Sequence, residues 1–247
     1  MMEYGLKYIV HVCEMIEKIK NTQLQILSLA AGKVASTFED GNTIFVFGAA
    51  HSGIIAEEMF YRTGGLAIIN PIFNPSLMLD TRPVTLTSRM ERVDKFGEEI
   101  IRSTAIKEGD LLLIHSVSGR NPVIIDAALQ AKKMGAYVIG LTNIEYSKNV
   151  TSRHKSNKKL FEVVDLVIDN CGDFEDSSIR IPNIAQKIGA TSTVAGAMIV
   201  NSIIVEACHL IVQKGMTPPV FHSSNVDGGD EFNKKLIKKH KDKIHYM

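Results

Sequence analysis

Little in this sequence invites a disulfide, a metal or a nucleic acid. Its three cysteines, Cys13, Cys171 and Cys208, are odd in number and far apart. They form neither a disulfide framework nor a zinc pattern, and they fit a reducing cytoplasm. No cysteine–histidine cluster suggests a metal, and no cofactor is expected. Asp227 and Asp230 flank Gly228-Gly229, but ligands at the other spacings of a calcium loop are missing. Lys and Arg total 28 against 27 Asp and Glu, a formal charge of +1. That leaves no broad basic face for nucleic acid. The most apolar stretch, Ala195 to Val212, is interrupted by Asn201, Glu206 and His209, so it reads as a buried helix with no membrane partner. Met1-Met2-Glu3-Tyr4 does not open a basic-then-apolar leader, which predicts a cytoplasmic protein. Neither a fixed-period repeat nor a low-complexity segment occurs, and no linker interrupts residues 40–215. The 247 residues therefore read as one domain, with a core over about 20–215 and a tail over 216–247.

What is present is an alternation of apolar runs and helical patterns. Residues 3–39 read as helix, with one break near Lys20-Asn21-Thr22; Leu24, Leu27, Ala31, Val34 and Phe38 make an apolar face. Strands are expected at Ile44–Phe47, Leu66–Ile69, Leu111–Ile114, Tyr137–Leu141 and Leu166–Asp169. Helices are expected after Ser52, over 88–106, after Asn121-Pro122, and from Ser192 to Lys214. Ser52 and Asn121 sit where N-caps belong, and Pro122 suits a first helical position. A last helix starts near Glu231. Strands alternating with helices predict an α/β fold, a parallel sheet covered on both faces.

Two segments end a strand in a small-residue loop and then open a helix: Gly48-Ala49-Ala50-His51-Ser52-Gly53 and His115-Ser116-Val117-Ser118-Gly119-Arg120-Asn121. Helix N-termini offer unpaired N–H donors and a partial positive charge, so each mouth suits an anion such as phosphate. A dinucleotide fingerprint would need G-x-G-x-x-G and an acidic residue after the second strand; the second glycine is missing and the strand closes at Asn70-Pro71. A P-loop is absent. The hydroxyl-rich loops fit a phosphorylated sugar better than a dinucleotide.

The patterns F-G-A-A-H-S-G-I-I-A-E-E (47–58), H-S-V-S-G-R-N (115–121) and A-T-S-T-V-A-G-A (190–197) resemble, in order and spacing, those of the sugar isomerase (SIS) domain family. More narrowly, the whole chain, including P-P-V-F-H-S-S-N-V-D-G-G-D-E-F-N (218–233), is similar to bacterial SIS-domain proteins of unassigned reaction. The resemblance implies a three-layer αβα fold with a five-stranded parallel sheet of flavodoxin type. It implies a phosphorylated sugar or amino sugar as ligand and a homodimer or homotetramer. The phosphate is then expected at Ser116, Ser118, Gly119, Arg120 and Asn121, with Ser52 and Thr191, Ser192 and Thr193 nearby.

The catalytic residues are less plain. In the arabinose-5-phosphate isomerase branch a Lys precedes the first-loop Ser and an acidic residue follows the second-loop Gly; here those positions hold His51 and Arg120. In the phosphoheptose isomerase branch a helix glutamate lies where this chain has Arg62. The remaining carboxylates are Glu57, Glu58, Glu91 and Glu206, and His51 and His222 are candidate acids or bases, the role histidine commonly fills. Glu57 or Glu58 with His51 is the leading set, Glu206 the reserve. Each has a plainer reading: Glu58 paired with Arg62 four residues on, Glu206 partnered inside its helix, and His209 a satisfied core histidine. Arg153, His154, Lys155, Lys158 and Lys159 read as a solvated basic loop or a phosphate entrance. Isomerisation through an enediol is the first functional reading. An etherase or lyase acting on an acidic amino-sugar phosphate is the second, a non-catalytic sugar-phosphate sensor the third. The polar segment His222–Asn233 is expected to close over a ligand site, that of a neighbouring subunit.

Overall fold

The buried runs assemble into one sheet in a computed structural model that describes residues 2–247. β1 (Ile44–Gly48), β2 (Ile69–Pro71), β3 (Leu111–His115), β4 (Tyr137–Thr142) and β5 (Leu166–Asp169) are all parallel, in the order β2-β1-β3-β4-β5. This is the flavodoxin-type order. Every residue of β3 is buried because both sheet faces are covered, which is why its sequence is apolar without alternation. Ile44 pairs with Leu111 and Gly48 with His115, so β1 and β3 end level with each other. The strand order reverses between these two strands. Ligands of open α/β sheets bind at such a switch point, outside the carboxyl ends.

The helices, in chain order, are α1 (Glu3–Glu39), α2 (Ile54–Met59), α3 (Thr85–Met90), α4 (Phe96–Arg102), α5 (Pro122–Lys133), α6 (Ile144–Lys148), α7 (Ser192–Gln213) and α8 (Gly229–Lys239). Val34, Ile55 and Ile199 pack with Leu113 on one face of the sheet. Ile101 and Val123 pack with Phe47 and Ile114 on the other. α7 is long and apolar, and one side of it, including Ile199, Ile203 and Ala207, lies in the first core.

Four sequence expectations change. α1 has no break: Thr22 Oγ1 donates back to the Lys18 carbonyl at 2.7 Å, so its hydroxyl is satisfied within the helix. Gln23 Oε1 accepts the Asp169 N–H at 3.1 Å, which ties α1 to β5. The expected second strand is displaced. Leu66 and Ala67 instead pair antiparallel with the tail, Ala67 N–H donating to the Pro219 carbonyl at 2.8 Å, and only from Ile69 does the chain join β1. The expected helix over 88–106 is two helices, parted by a turn in which Lys95 has φ of 62° and donates its N–H to Asp126 Oδ2 at 2.7 Å. His209 is exposed, not a core residue.

The stretches on either side of His222–Asn233 are anchored to the body of the chain. Phe221 and Ile244 bury against Ala67. Asn70 Nδ2 donates to the Lys243 carbonyl at 2.9 Å, its Oδ1 accepts the His245 N–H at 2.6 Å, and Tyr246 donates to the Ala67 carbonyl at 2.8 Å.

Candidate functional site

The first loop leaves β1 through a tight turn. A Cβ on Gly48 would lie 2.3 Å from the Ser52 carbonyl oxygen, so only glycine lets the chain fold back there. Ala50–Gly53 form a short 3-10 turn that runs into α2. Ser52 therefore sits one residue inside the turn and caps nothing; the N-cap position belongs to Gly53. What Ser52 contributes structurally is its carbonyl, which accepts from Nδ1 of the buried His115 at 3.1 Å. His51 is exposed at the mouth.

The second loop is rigid. The Val117 carbonyl accepts from Asn143 N–H and Thr142 Oγ1, both at 3.0 Å, and the Gly119 carbonyl accepts from Leu160 N–H at 2.8 Å. Gly119 has φ of +57°, and a Cβ there would press on Ser147, Thr142 and Leu160. The N–H groups of Val117, Ser118, Gly119, Arg120 and Asn121 find no acceptor among the described residues. Neither do the Ser116 and Ser118 hydroxyls donate to any. Asn121 occupies the N-cap position of α5 without a side-chain cap bond, with Pro122 in the first turn as expected. Its side chain faces elsewhere: Nδ2 donates to Glu91 Oε2 at 2.7 Å, and Oδ1 accepts from Arg153 Nη1 at 2.9 Å.

Glu91 thus reaches the mouth from the turn between α3 and α4. Its backbone carbonyl accepts the Val123 N–H at the start of α5 at 3.2 Å. Burial raises its pKa, against the lowering effects of the Asn121 hydrogen bond and the positive charges of Arg92, Arg153 and His51. Asp126, buried on α5, holds the two flanking segments together. It accepts from Lys95 N–H through one oxygen and bonds His154 Nε2 at 3.0 Å through the other. Ser156 N–H donates to His154 Nδ1 at 3.1 Å, so Nε2 carries the proton that points at Asp126. The basic stretch is therefore not a solvated loop throughout. His154 is buried, Lys159 donates to the Ser147 and Val150 carbonyls at 2.6 and 3.0 Å, and Arg153 joins the mouth. Arg120 donates through Nη2 to Thr151 at 3.0 Å.

The third segment is closed to an anion as it stands. Asp176 Oδ1 accepts the N–H groups of Thr191 and Ser192 at 3.1 and 2.9 Å, and Ser192 Oγ donates to Oδ2 at 2.6 Å. A carboxylate of the chain itself occupies the α7 N-terminus, where Thr191, Ser192 and Thr193 were expected to serve a phosphate. Tyr8 and His11 of α1 brace this segment, donating to the Ala190 carbonyl and pairing with Asp173, both at 2.6 Å.

Most of the carboxylates expected from sequence lie elsewhere. Glu57 is exposed on α2, at the rim of a small pocket with Gly48 and Asn74. Glu58 is engaged in an ion pair with Arg62 and accepts from Asn201 at 2.8 Å. Glu206 is exposed, about 20 Å along α7 from its start at 1.5 Å per residue, and lines a groove against α1. His222 is held by Asn233, whose Oδ1 accepts its N–H at 2.9 Å, with its ring beside Phe232. Of the sequence candidates, Glu91 is the carboxylate that the fold bonds to the second loop, with His51 near enough to bear on its charge. Asp126 as an organiser of that mouth was not legible, whereas Arg153 belongs to the basic stretch read as a solvated loop or a phosphate entrance. Among the described residues no group of three His, Cys, Asp or Glu side chains could hold a metal ion.

Residues 7–143 match the family described as the SIS domain. The chain belongs to that family. A UPF0309 protein of Shouchella clausii (strain KSM-K16) is 45% identical over 246 residues, covering 100% of both chains. Among solved structures, a phosphoheptose isomerase from Francisella tularensis superposes with a TM-score of 0.55 at 17% identity, covering 83% of this chain and 97% of that one. A phosphoheptose isomerase from Neisseria gonorrhoeae superposes with a TM-score of 0.53 at 17% identity, covering 86% and 98%. At these identities the likeness is one of fold.

Proposed function

We propose that this SIS-domain protein binds a phosphorylated sugar at the mouth between β1 and β3 and isomerises it by proton transfer through an enediol. The observation that carries the reading is the second loop. Its free N–H groups and two hydroxyls converge at a helix start, the arrangement a phosphate dianion requires. The names of the two structural neighbours, both phosphoheptose isomerases, agree with this ligand class. Glu91 takes the base role, because it alone among the candidate carboxylates is bonded to the loop. In its ionised form Glu91 removes the proton from the carbon next to the carbonyl; the carbonyl oxygen takes a proton, and an enediol forms. Return of the proton to the neighbouring carbon, with loss of the other hydroxyl proton, completes the exchange of aldose for ketose. His51, at the same mouth, is placed to move the oxygen-bound protons and to assist ring opening.

A second copy of the chain completes the proposal. Leu24, Leu29, Val205 and Val212 are 60, 61, 71 and 57% exposed on α1 and α7, and a groove lined by Leu24, Met198 and Ser202 runs between the two helices. Covering that apolar surface favours a homo-oligomer.

The reading is tested by a thermal-shift screen against sugar phosphates, since a ligand that binds only the folded state raises its stability. The best hit is then incubated in deuterium oxide. Solvent deuterium at the carbon beside the carbonyl, lost in Glu91→Gln with binding retained, is the expected result. Binding without isotope exchange or product would leave a sensor and remove the enzyme.

A further inference from the structure

A serine between α6 and β5 is hydrogen-bonded to a buried base. Ser156 Oγ lies 2.7 Å from His154 Nδ1, and the other ring nitrogen, Nε2, lies 3.0 Å from Asp126 Oδ1. His154 is 4% exposed and Asp126 6%, whereas Ser156 is exposed. Nδ1 also accepts the Ser156 N–H at 3.1 Å, so that nitrogen carries no proton of its own. The Ser156 hydroxyl therefore donates to it, and Nε2–H donates to Asp126. A hydroxyl, a base within hydrogen-bond reach and a third group that orients the base are together the arrangement that activates a nucleophile. A tight turn does not require it. The N–H bond to Nδ1 would close the same turn with alanine in place of serine, and the hydroxyl makes the shorter of the two bonds to that nitrogen.

The surroundings select the electrophile. Arg153, Lys155 and Lys158 lie within three positions of Ser156 and are exposed, and no Asp or Glu occurs between Glu145 and Glu162. Fixed positive charge favours the anionic oxygens of a phosphoryl group during transfer and after it. Lys158 N–H donates to Ser156 Oγ at 3.2 Å, which steadies negative charge on that oxygen as its proton leaves. After transfer, protonated His154 would sit between two anions, Asp126 on Nε2 and the new phosphate on Nδ1. The Ser156 N–H, displaced from Nδ1, would gain a phosphate oxygen as acceptor. A neutral acyl ester would use none of this charge.

We propose that Ser156 is a nucleophilic serine that accepts a phosphoryl group from an acyl phosphate, with His154 as its base and Asp126 orienting that base. Ser156 Oγ forms a bond to phosphorus as the bond from phosphorus to the acyl oxygen breaks. The hydroxyl proton passes to His154 Nδ1, and the donor's carboxylate leaves with the bonding electron pair. An acyl phosphate suits the site because that carboxylate departs without needing a proton. Nothing in this step depends on the phosphosugar reading.

The test uses the whole protein and two probes, read by intact mass and peptide mapping. Diisopropyl fluorophosphate reports the nucleophile, and acetyl phosphate reports phosphoryl transfer. The fluorophosphate should label Ser156 at least about a hundredfold faster than the exposed Ser88 and Ser202, the gain expected of a general base. Acetyl phosphate should phosphorylate the same residue. Ser156→Ala should carry neither mark at that position, and His154→Gln should slow both by about a hundredfold. Asp126 also fastens the turn at Lys95, so the orienting role is read in wild type instead: in concentrated urea Ser156 should fall to the rate of the other two serines. Equal labelling of the three serines in the folded protein overturns the inference. Marks that persist in folded His154→Gln, or at an unchanged rate in urea, overturn it too. Labelling by the fluorophosphate without phosphorylation overturns the phosphoryl acceptor and leaves only a reactive serine.

Discussion

Lowering the pH from 7 towards 4 should remove about 3 kcal/mol of folding stability through His115 alone. This side chain ends β3 and is 1% exposed. Its Nδ1 lies 3.1 Å from the Ser52 carbonyl oxygen, which can only accept, so Nδ1 carries the proton and Nε2 is bare. Nε2 is buried without a partner, and a proton added there would find no acceptor. Burial accordingly lowers the pKa from 6.5 to about 4, outweighing the Ser52 hydrogen bond and the charge of Asp176. In the unfolded chain the same imidazole titrates near its ordinary value. Between those two pKa values the unfolded state binds more protons, so stability rises with pH. The penalty is absent above about pH 6.5 and complete below about 4, and the difference between the two values corresponds to about 3 kcal/mol. The assay is urea unfolding from pH 7.5 to 4, in wild type and His115→Gln. Glutamine can keep a donor on the Ser52 carbonyl but cannot titrate. It should cost about 1–2 kcal/mol at neutral pH through poorer packing, and then lose less stability than wild type on acidification by about 3 kcal/mol. Other titrating groups act on both proteins and cancel in the difference. Parallel curves, or an imidazole resonance of His115 titrating near 6.5, would refute the reasoning.

Ser118→Ala should weaken sugar-phosphate binding by about 1–3 kcal/mol, the range for a hydrogen bond to a charged oxygen, and titration calorimetry reads it. If Glu91 is the base, kcat/KM should rise with pH through an inflection above the ordinary glutamate range, because burial raises its pKa; a profile flat down to pH 4.5 would exclude it. Phe221→Ala should cost about 3 kcal/mol or more of stability by opening a cavity against Ala67, and truncation after Thr217 should expose the same surface and lower the melting temperature. Light scattering at micromolar concentration should give at least a dimer mass, and Val205→Glu, placing a charge on the exposed apolar side of α7, should reduce it.

The parts legible in the sequence are those governed by local chemistry. β5 and the start of α7 fall where the apolar runs put them, and Asn121-Pro122 opens α5 as the proline rule requires. The second loop could be read because strand, hydroxyls, glycine and helix start are contiguous. Glu91 was one carboxylate among several, because a continuous helix over 88–106 gives no reason to prefer it. The kink that presents it depends on Asp126, a residue 31 positions beyond the Lys95 N–H it accepts. The Leu66–Ile69 run has strand composition, but its partner on one side is a segment about 150 residues later, which no local pattern encodes. Ser52 carries a cap residue's signature and misses the cap because the helix begins through an extra turn. The short polar residues of 190–193 look made for an external anion, and Asp176, distant in sequence, meets that demand internally.

The antiparallel clasp between Gly64–Ala67 and Pro219–Phe221 bears on how the protein is made. β2 contributes only three residues to the sheet, and Asn70 is completed by Lys243 and His245 at the far end of the chain. On the ribosome, β1, β3, β4 and β5 can pair and bury their faces long before those residues emerge. One margin of the nascent sheet then stays uncovered, with strand N–H and carbonyl groups open to a neighbouring polypeptide, until residues 219–246 emerge. Unpaired margins of this kind are where chains join one another wrongly. Termination after α7 should therefore release a species with a near-complete sheet and a sticky flank, and translation speed through the codons for residues 218–247 becomes a determinant of yield.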